Sequence, residues 1–349
     1  MFFADFIIEE ISYLTNINDL LNTSKQFKEY KEKYYIWYLN KEESIEYYKE
    51  KYIKKRLLKI NEQRLQLSFS VTQLCGISIN EIMSNIGNVH TVNLINYNDI
   101  TDDTIKNLKN CHTLFLFRCN NLTGKFCNYL NNLHRVCVYD CREITDDTVI
   151  YLGNVHTLEL FYCNKITDKG IKHLGNVHTL SLNSCHNIKD EGIKYLGRCH
   201  TLDLSHCYNI TDEGIKYLGN VHTLLLRRCC NITDEGLKYL GRCHTIDLEY
   251  CINITDEGVK SLGKCNTLHL SCCYGLTYTC LGYLKKVKFI HIHYCHNLYK
   301  NYLYETIKNI FKYQEYQEKS NIIGLDTLRL KFSDSWYIIP KFILSGFRS

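Results

Sequence analysis

A repeat of 22 residues constrains this chain more than any other feature of its sequence. Histidine recurs at that spacing at His90, His112, His134, His156, His178, His200, His222 and His244, and Asn266 and Lys288 continue the series. The ten units contain no insertion. Periods of about 20 to 50 residues are typical of solenoids, in which a unit buries its apolar face only by stacking on its neighbours. We therefore expect an elongated array.

Each unit contains the pattern of one strand followed by one short helix. In the unit "GNVHTLLLRRCCNITDEGLKYLG" (219–241), Leu224 and Leu226 alternate with other residues, which predicts a short strand with one face inward. Thr233 is a suitable N-cap for a helix that begins at "DEG", and the acidic residues suit its first turn. Gly241 suits the exit from that helix. The sequence predicts an α/β solenoid.

Cysteine and histidine recur at fixed positions, which raises the question of a metal or a catalytic site. Nine cysteines lie seven residues after the repeating position, from Cys119 to Cys295. Four more precede that position, where other units carry valine, so we interpret them as small buried apolar residues. Zinc is the rival interpretation, but the chain contains neither C-x2-C nor H-E-x-x-H.

The histidines are expected to be structural, with hydrogen bonds to the backbone. Asn266 and Lys288 fill the same position, which argues against an obligatory ligand role. A catalytic Cys–His pair is the remaining alternative, and no single pair stands out among so many copies. We predict no catalytic residue, no metal and no cofactor, and therefore a chain that is not an enzyme.

The unit resembles the cysteine-containing leucine-rich repeats that are common in F-box proteins. The frame L-x-x-L-x-L-x-x-N/C reads "VHTLLLRRC" from Val221 to Cys229. The resemblance covers roughly residues 88–300 and implies a leucine-rich-repeat horseshoe. The biased composition, with one proline among 349 residues, is similar to that of members from AT-rich protists or large DNA viruses.

The first 40 residues resemble an F-box. "SYL" (12–14), "DLL" (19–21), "SKQF" (24–27) and Trp37 match the F-box pattern in order, while "FFADF" (2–6) stands where L-P-x-E-L is usual. The resemblance implies binding to a Skp1-like adaptor and its cullin complex. The residues implied in that contact are Phe2, Phe3, Phe6, Ile11, Leu14, Leu20, Leu21 and Trp37. A generic helical cap on the repeats is the alternative for this segment.

The residues that do not repeat are the candidates for substrate binding. Side chains between and after the inward leucines point outward on the concave face of such a horseshoe. An aromatic patch comprises Phe115, Phe117, Tyr139, Phe161 and Tyr162, and a charged patch comprises Arg227, Arg228, Asp247, Glu249 and Tyr250. Glu159 and Asp203 lie at the same outward positions. Because aromatic residues and arginine anchor many interfaces, we predict that these residues bind a protein. Cover for neighbouring strands is the alternative for the aromatic residues.

The sequence predicts five segments. They are an F-box-like helical segment (1–40), a connecting helix (41–67), an N-terminal cap that resembles half a repeat (68–87), the leucine-rich repeats (88–300) and a C-terminal cap (301–349). In the last of these, residues 301–317 have the pattern of an amphipathic helix, and "LDTLRL" (325–330) has that of a repeat strand.

Charge, hydropathy and cysteine content limit the expected partners and compartment. A net charge of +5 is too small to indicate nucleic acid, and no run of 18 apolar residues indicates a membrane span. Nineteen cysteines without a recognisable export signal point to the reducing cytoplasm or nucleus, in the host cell if the chain is viral. The resemblance implies the substrate-recognition subunit of a Skp1–cullin–F-box ubiquitin ligase. The alternative is a scaffold or decoy that binds a protein but no Skp1.

Overall fold

The structure, a computed structural model, describes residues 37–38, 41–49, 65–70, 79–86, 89–292, 294–295, 327–332 and 335–340. The chain divides into two compact units, Met1–Lys165 and Ile166–Ser349. We call the first of these unit 1 and the second unit 2. The predicted F-box-like segment lies outside the described residues except for Trp37 and Tyr38. The domain boundaries read from the sequence stay predictions.

Unit 1 is a parallel sheet whose strands follow one another in chain order. The strands are β1 Trp37–Tyr38, β2 Leu65–Ser70, β3 Thr91–Ile95, β4 Thr113–Phe117, β5 Arg135–Tyr139 and β6 Thr157–Phe161. The helices are Lys41–Tyr48, Ile79–Asn85, Asp102–Ile105, the 3₁₀ helix Lys125–Asn128 and Asp146–Leu152. From β3 onward each strand pairs with the next at an offset of 22 residues, so that Thr91, Thr113 and Arg135 lie side by side.

Unit 2 repeats the same arrangement with shorter elements. Its strands are β7 Thr179–Ser181, β8 Thr201–Asp203, β9 Thr223–Leu225, β10 Thr245–Asp247, β11 Thr267–His269 and β12 Phe289–His291. Its helices are Asp168–Ile171, Asp190–Ile193, Asp212–Ile215, Asp234–Leu237, Asp256–Val259, the 3₁₀ helix Lys260–Leu262 and Cys280–Tyr283. The two units confirm the prediction of a leucine-rich-repeat solenoid.

The ends of the repeats contain additional strands. In unit 2, β13 Thr327–Phe332 is parallel to β12, and β14 Ser335–Pro340 is antiparallel to β13. The predicted strand "LDTLRL" overlaps β13, while the amphipathic helix predicted from residue 301 lies outside the described residues. In unit 1, β2 begins at Leu65 and overlaps the last three residues of the predicted connecting helix.

The inward leucines of each strand form the core. Leu224 and Leu226 are completely buried, and the same two positions are buried in every described repeat from Val92 to Ile292. Burial of one such side chain contributes about 1.5 to 3 kcal/mol. Because ten repeats supply this contribution twice each, the apolar spine outweighs any surface interaction in setting the fold.

The recurring cysteine next to this spine is also buried, as predicted. Its Sγ lies within hydrogen-bonding distance of the carbonyl of the second inward leucine in the preceding repeat, as Cys229 Sγ does at 3.2 Å from the carbonyl oxygen of Leu204. Cys251 and Cys273 repeat the contact at 3.1 Å. A thiol therefore fills a small apolar site and also donates a weak hydrogen bond to a buried carbonyl, which valine cannot do.

In each repeat from β3 to β12, a residue with a left-handed backbone follows the strand. The residues at this position, six after the repeating one, are Asn96, Arg118, Asp140, Tyr162, Ser184, His206, Arg228, Tyr250, Cys272 and Tyr294, with φ between 50° and 62°. The amides of most of these residues donate to the carbonyl before the same turn in the next repeat, as Arg228 N does to Glu249 O at 2.8 Å. Residues other than glycine are uncommon in this conformation. The turn closes each strand and sets the direction of the side chain that follows it.

Candidate protein-binding site

The outward side chains of the strands form what we call the strand face. It comprises the third and fifth residues after the repeating position, which alternate with the buried leucines, and the sixth residue, which follows them. In unit 1 these positions include the predicted aromatic residues, and in unit 2 they include the predicted charged residues. The structure therefore brings each predicted patch together within one unit.

The aromatic row of unit 1 comprises Phe115, Phe117, Tyr139, Phe161 and Tyr162. Tyr139 lies at its centre, with its ring centroid 5.2 Å from that of Phe117 and 5.3 Å from that of Tyr162. Its distance to the ring of Phe161 is 6.3 Å. Phe117 and Tyr162 remain 37% and 45% exposed. The rings support one another laterally and still present apolar surface to solvent.

Two ion pairs border this row. Arg135 donates two hydrogen bonds to Glu159 through Nη2, both at 2.9 Å, and its guanidinium carbon lies 5.3 Å from the centre of the Phe115 ring. At the opposite ends of the strands, Arg118 Nε donates to Asp140 Oδ2 at 3.1 Å. The predicted site residue Glu159 is therefore held by Arg135, a residue that the sequence analysis did not identify. The sequence did contain a signal: Arg135 follows the repeating histidine, where the other repeats of unit 1 carry threonine.

The charged residues of unit 2 form a second cluster. Arg227 Nε donates to Asp247 Oδ2 at 2.6 Å and lies 3.6 Å from Glu249 Oε2. Arg228 lies over the ring of Tyr250 at 4.6 Å. Asp247 is only 1% exposed and also accepts the amide of Glu249. Asp247 thus orients Arg227 from below, and Arg227, Arg228, Glu249 and Tyr250 are the members that solvent reaches.

Asp203 occupies the same position as Asp247, two repeats earlier, and also supports the strand face. Its carboxylate accepts from Ser181 Oγ at 2.9 Å and from the amide of Ser205 at 2.9 Å. The bond from Ser205 holds Asp203 against its own turn, as the amide of Glu249 holds Asp247, and the bond from Ser181 connects Asp203 to the preceding repeat. The aspartates at this position stabilise the strand face, and the arginines present charge on it.

The repeating histidines form stacked ladders within each unit. In unit 1 the ring centroids of His90, His112, His134 and His156 are 4.8, 4.8 and 4.3 Å apart in succession. In unit 2 those of His178, His200, His222 and His244 are 4.6, 4.5 and 4.5 Å apart. The ring Nδ1 atom contacts the threonine hydroxyl of the next residue, as His222 does to Thr223 Oγ1 at 3.2 Å. The partner of Nδ1 is therefore a side chain, and the expected bond to the backbone stays a prediction.

Burial raises the pKa of the four thiols that precede the repeating position, which keeps them protonated near neutral pH. It raises the pKa of Cys111 to about 12 and that of Cys199 to about 12. The same effect raises the pKa of Cys243 to about 11. A thiolate is the nucleophilic and metal-binding form of cysteine, so these thiols have little of the reactive form at pH 7. Within the described residues, no group of three or more His, Cys, Asp or Glu is arranged to hold a metal ion.

Most of the predicted adaptor-binding residues lie outside the described residues. These are Phe2, Phe3, Phe6, Ile11, Leu14, Leu20 and Leu21. Trp37 is described and lies in β1, where it pairs with Leu65 of β2. The resemblance placed Trp37 at the end of a helical segment, whereas its backbone joins the sheet of unit 1.

Comparison with known proteins gives the following similarities. The family model described as Leucine Rich repeat matches residues 154–175, 176–197, 200–219 and 220–241. A solved structure of the yeast Rad7 and Elc1 complex contains a chain that is 16% identical, over 72% of this chain and 76% of that chain, with a TM-score of 0.47. An internalin of Listeria monocytogenes, InlF, is 15% identical over 68% of this chain and 69% of its own, with a TM-score of 0.43. Internalin C2 from the same organism is 23% identical over 55% and 84%, with a TM-score of 0.39. No curated protein matches the sequence.

The geometry and the matched repeats agree on what kind of molecule this is. Its strands and helices form leucine-rich repeats, a fold that typically serves as a non-enzymatic scaffold for protein interactions. The strand face carries the residues that vary between repeats, as a binding surface requires. In the part of the chain that the structure describes, no helix has both the length and the apolar character needed to cross a bilayer.

Proposed function

We propose that this chain is the substrate-recognition subunit of a Skp1–cullin–F-box type ubiquitin ligase. The strand face of the repeats binds a protein substrate, and the N-terminal segment binds a Skp1-like adaptor. The observation that carries the substrate-binding half is the exposed aromatic row of unit 1. The adaptor-binding half is supported by the F-box-like order of residues between Ser12 and Trp37.

The aromatic row is not a requirement of the repeat. At the positions that Phe115 and Phe117 occupy in unit 1, a repeat of unit 2 carries Ser181 and Asn183, and its strand still pairs in register. Aromatic side chains at these positions therefore add apolar surface that the fold does not need. This argues for binding over cover, because cover would be needed in both units.

The surroundings of the row define the chemistry of the expected substrate. Arg135 with Glu159, and Arg118 with Asp140, place a paired charge at each end of the aromatic strands. Such partly exposed pairs contribute little stability themselves, about 0 to 1 kcal/mol, but they orient polar groups at a rim. A substrate segment with one or two apolar anchors, flanked by polar residues of both signs, matches an aromatic centre with a polar border.

The chain performs no chemistry in this proposal. It raises the effective concentration of the substrate near a ligase that other subunits supply. Its affinity for the substrate then depends on a few anchoring side chains. Among the described residues of unit 1, Phe117, Phe161 and Tyr162 are the strongest candidates because they combine aromatic area with exposure.

The substrate-binding half is tested by quantitative capture from cell lysate followed by mass spectrometry. We expect the variant Phe117→Ala/Phe161→Ala/Tyr162→Ala to lose at least about tenfold of its captured partner, since one lost anchor costs about 1 kcal/mol or more. The control is Tyr129→Ala/Ile150→Ala, which removes two half-exposed apolar side chains from the helix side of the same unit. Undiminished capture by the triple variant would contradict the assignment of the row.

The adaptor-binding half is tested separately with purified Skp1. We expect the full chain to retain Skp1 in a pull-down and a chain without residues 1–36, which keeps β1, to lose it. If neither form binds Skp1 while substrate capture persists, the chain is a scaffold or decoy that holds a partner without recruiting the ligase.

A further inference from the structure

A groove on the helix side of unit 2 has a composition that the repeat does not explain. It has a volume of about 490 Å³ and is lined by residues of three successive repeats. Its cationic lining residues are Lys216, Lys238, Arg242, Lys260 and Lys264, and none of its lining residues is acidic. Tyr217 and Tyr239 also line it and are 47% and 52% exposed.

The corresponding region of unit 1 provides an internal comparison. A groove of about 330 Å³ there is lined by Cys127, Asn128, Asn131, Asn154 and four other residues, none of them charged. The position two residues before the repeating one is Asn110, Asn132 and Asn154 in unit 1. In unit 2 the same position is basic in four of six repeats, at Arg198, Arg242, Lys264 and Lys286. Asparagine is therefore sufficient for the fold, and the positive charge is an addition confined to unit 2.

The lysines and the arginine of the groove differ in how their charge is balanced. Lys216, Lys238 and Lys260 each lie 2.5 Å from a glutamate three residues earlier, and these glutamates do not line the groove. Arg242 and Lys264 form no ion pair with any residue that the structure describes. The uncompensated charge of the groove therefore comes from this pair, and the balanced lysines extend it along the repeats.

The aromatic rings lie within the same array of cations. Lys216 Nζ is 5.4 Å from the centre of the Tyr217 ring, and Lys260 Nζ is 4.7 Å from that of Tyr283. Between these rows the groove is lined by Gly219, Gly241 and Gly263. At Gly219 a Cβ atom would lie 2.5 Å from the carbonyl oxygen of Tyr239, so no side chain can be added there. The lining consists of backbone flanked by alternating cations and tyrosines.

We propose that this groove binds single-stranded nucleic acid. A positive groove that follows the backbone, with aromatic side chains on which bases stack, is the usual means of binding single strands without sequence preference. Successive repeats advance by about 4.8 Å. Each repeat therefore adds cations along the path of a nucleic-acid strand, which carries one phosphate charge per nucleotide. An acidic peptide lacks the π faces that exposed tyrosines match, and a bilayer favours a flat surface over a groove. The whole-chain charge of +5 conceals the groove because it adds acidic residues from other surfaces.

The charge of the groove is tested by fluorescence anisotropy with a labelled 20-nucleotide single strand of deoxythymidine. The full chain is expected to bind it at 50 mM salt, with an affinity that falls as salt rises. Arg242→Asn/Lys264→Asn introduces the residue that unit 1 carries at this position. It should weaken binding about tenfold or more and reduce the slope of log K against log salt by roughly 1.4, about 0.7 per lost phosphate contact. The control Lys109→Asn/Arg142→Asn removes two exposed cations from unit 1 and should change the affinity by less than about twofold.

The stacking role is tested by Tyr217→Leu/Tyr239→Leu, with circular dichroism to verify that each variant is folded. We expect at least about a fivefold loss of affinity, because a lost base–aromatic contact costs about 1 kcal/mol or more. The proposal is overturned by any of four results: no binding of the single strand at 50 mM salt, an equal loss in the unit 1 control, equal affinity for a duplex of the same length, or preferential binding of poly-glutamate or of phosphatidylserine vesicles. None of these results bears on Skp1 or substrate capture, so this proposal fails or stands independently of the proposed function.

Discussion

The helices of unit 1 and unit 2 are capped in different ways. In unit 2 the aspartate that begins one helix accepts two hydrogen bonds from the N-cap threonine of the next repeat. Asp212 does so from Thr233 N at 2.9 Å and Oγ1 at 2.6 Å, and Asp190 and Asp234 repeat the contact. Asp256 accepts in the same way from Thr277, two residues before the N-cap of its helix. In unit 1 the helix Asp146–Leu152 is capped within its own repeat, where Thr145 N donates to Thr148 Oγ1 at 2.7 Å.

One residue explains why the aspartate ladder is interrupted in unit 1. Asp102 accepts from Thr123, as the ladder requires, but Gly124 stands where the next aspartate belongs and adopts φ of 86°. The N-cap residue of the following helix, Thr145, therefore has no carboxylate at that position to donate to, and its amide donates to Thr148 Oγ1 instead. The repeats of this chain therefore cap the N-terminus of a helix in two different ways. One is made between neighbouring repeats, and the other is made within a single repeat.

The largest effects are expected in the core, where the units should not differ. Leu224→Ala in unit 2 and Leu114→Ala in unit 1 each remove a completely buried side chain at the same position of the repeat. We expect each to lower the free energy of unfolding by about 2 to 5 kcal/mol, measured by urea denaturation. A loss below about 1 kcal/mol in only one unit would show that the spine, and not only the capping, differs between them.

A smaller effect should separate the two units. In unit 2 a Cβ atom on Gly236 would lie 2.4 Å from Asp212 Oδ1, so Gly236→Ala must displace the carboxylate from Thr233. We expect a loss of about 2 to 3 kcal/mol, because crowding adds to broken charge-assisted hydrogen bonds.

The matched variant in unit 1 is Thr148→Ala, which removes only the local cap and should cost about 1 kcal/mol. Hydrogen exchange measured by mass spectrometry would locate the two losses. Gly236→Ala should increase exchange in the repeats on both sides of it, and Thr148→Ala only in its own. Equal spread in both variants would contradict the distinction between caps made across two repeats and caps made within one.

The sequence was sufficient for those features that a period reveals. The buried leucines, the buried cysteines and the Thr233 cap repeat every 22 residues, and the structure places them as predicted; Glu235 N donates to Thr233 Oγ1 at 3.3 Å. The role of Gly241 was not accessible in this way. It was predicted to end a helix, but the helix Asp234–Leu237 ends earlier, and a Cβ on Gly241 would lie 2.7 Å from the carbonyl oxygen of Ser261. That requirement is a distance between repeats, which one repeat alone does not encode.

The site was less predictable than the fold for a related physical reason. Composition indicated the aromatic row, but the partners of its border depend on which side chains share a face across strands. Arg135 and Glu159 are separated by 24 residues and meet only because β5 and β6 pair in register. The basic groove is hidden in the same way, since its cations come from three successive repeats and cancel, in any whole-chain sum, against acidic residues that do not line the groove.

The smallest predicted effect concerns the histidine ladders and pH. Burial, followed by the nearby His244 and His200, lowers the pKa of His222 from its ordinary value of 6.5, and burial followed by His112 lowers that of His134 in unit 1. As pH falls below 6.5 the unfolded chain binds protons before the folded one, so stability is full above this pH and decreases as pH falls through the folded pKa values. We expect a lower melting temperature at pH 5 than at pH 7.5.

His222→Asn should reduce this difference in melting temperature, because Asn266 occupies the same position naturally and its Oδ1 accepts from Thr267 Oγ1 at 3.2 Å. His173→Asn, which removes a histidine outside the ladder, is the control. If both variants behave alike, the stacked arrangement has no part in the pH dependence.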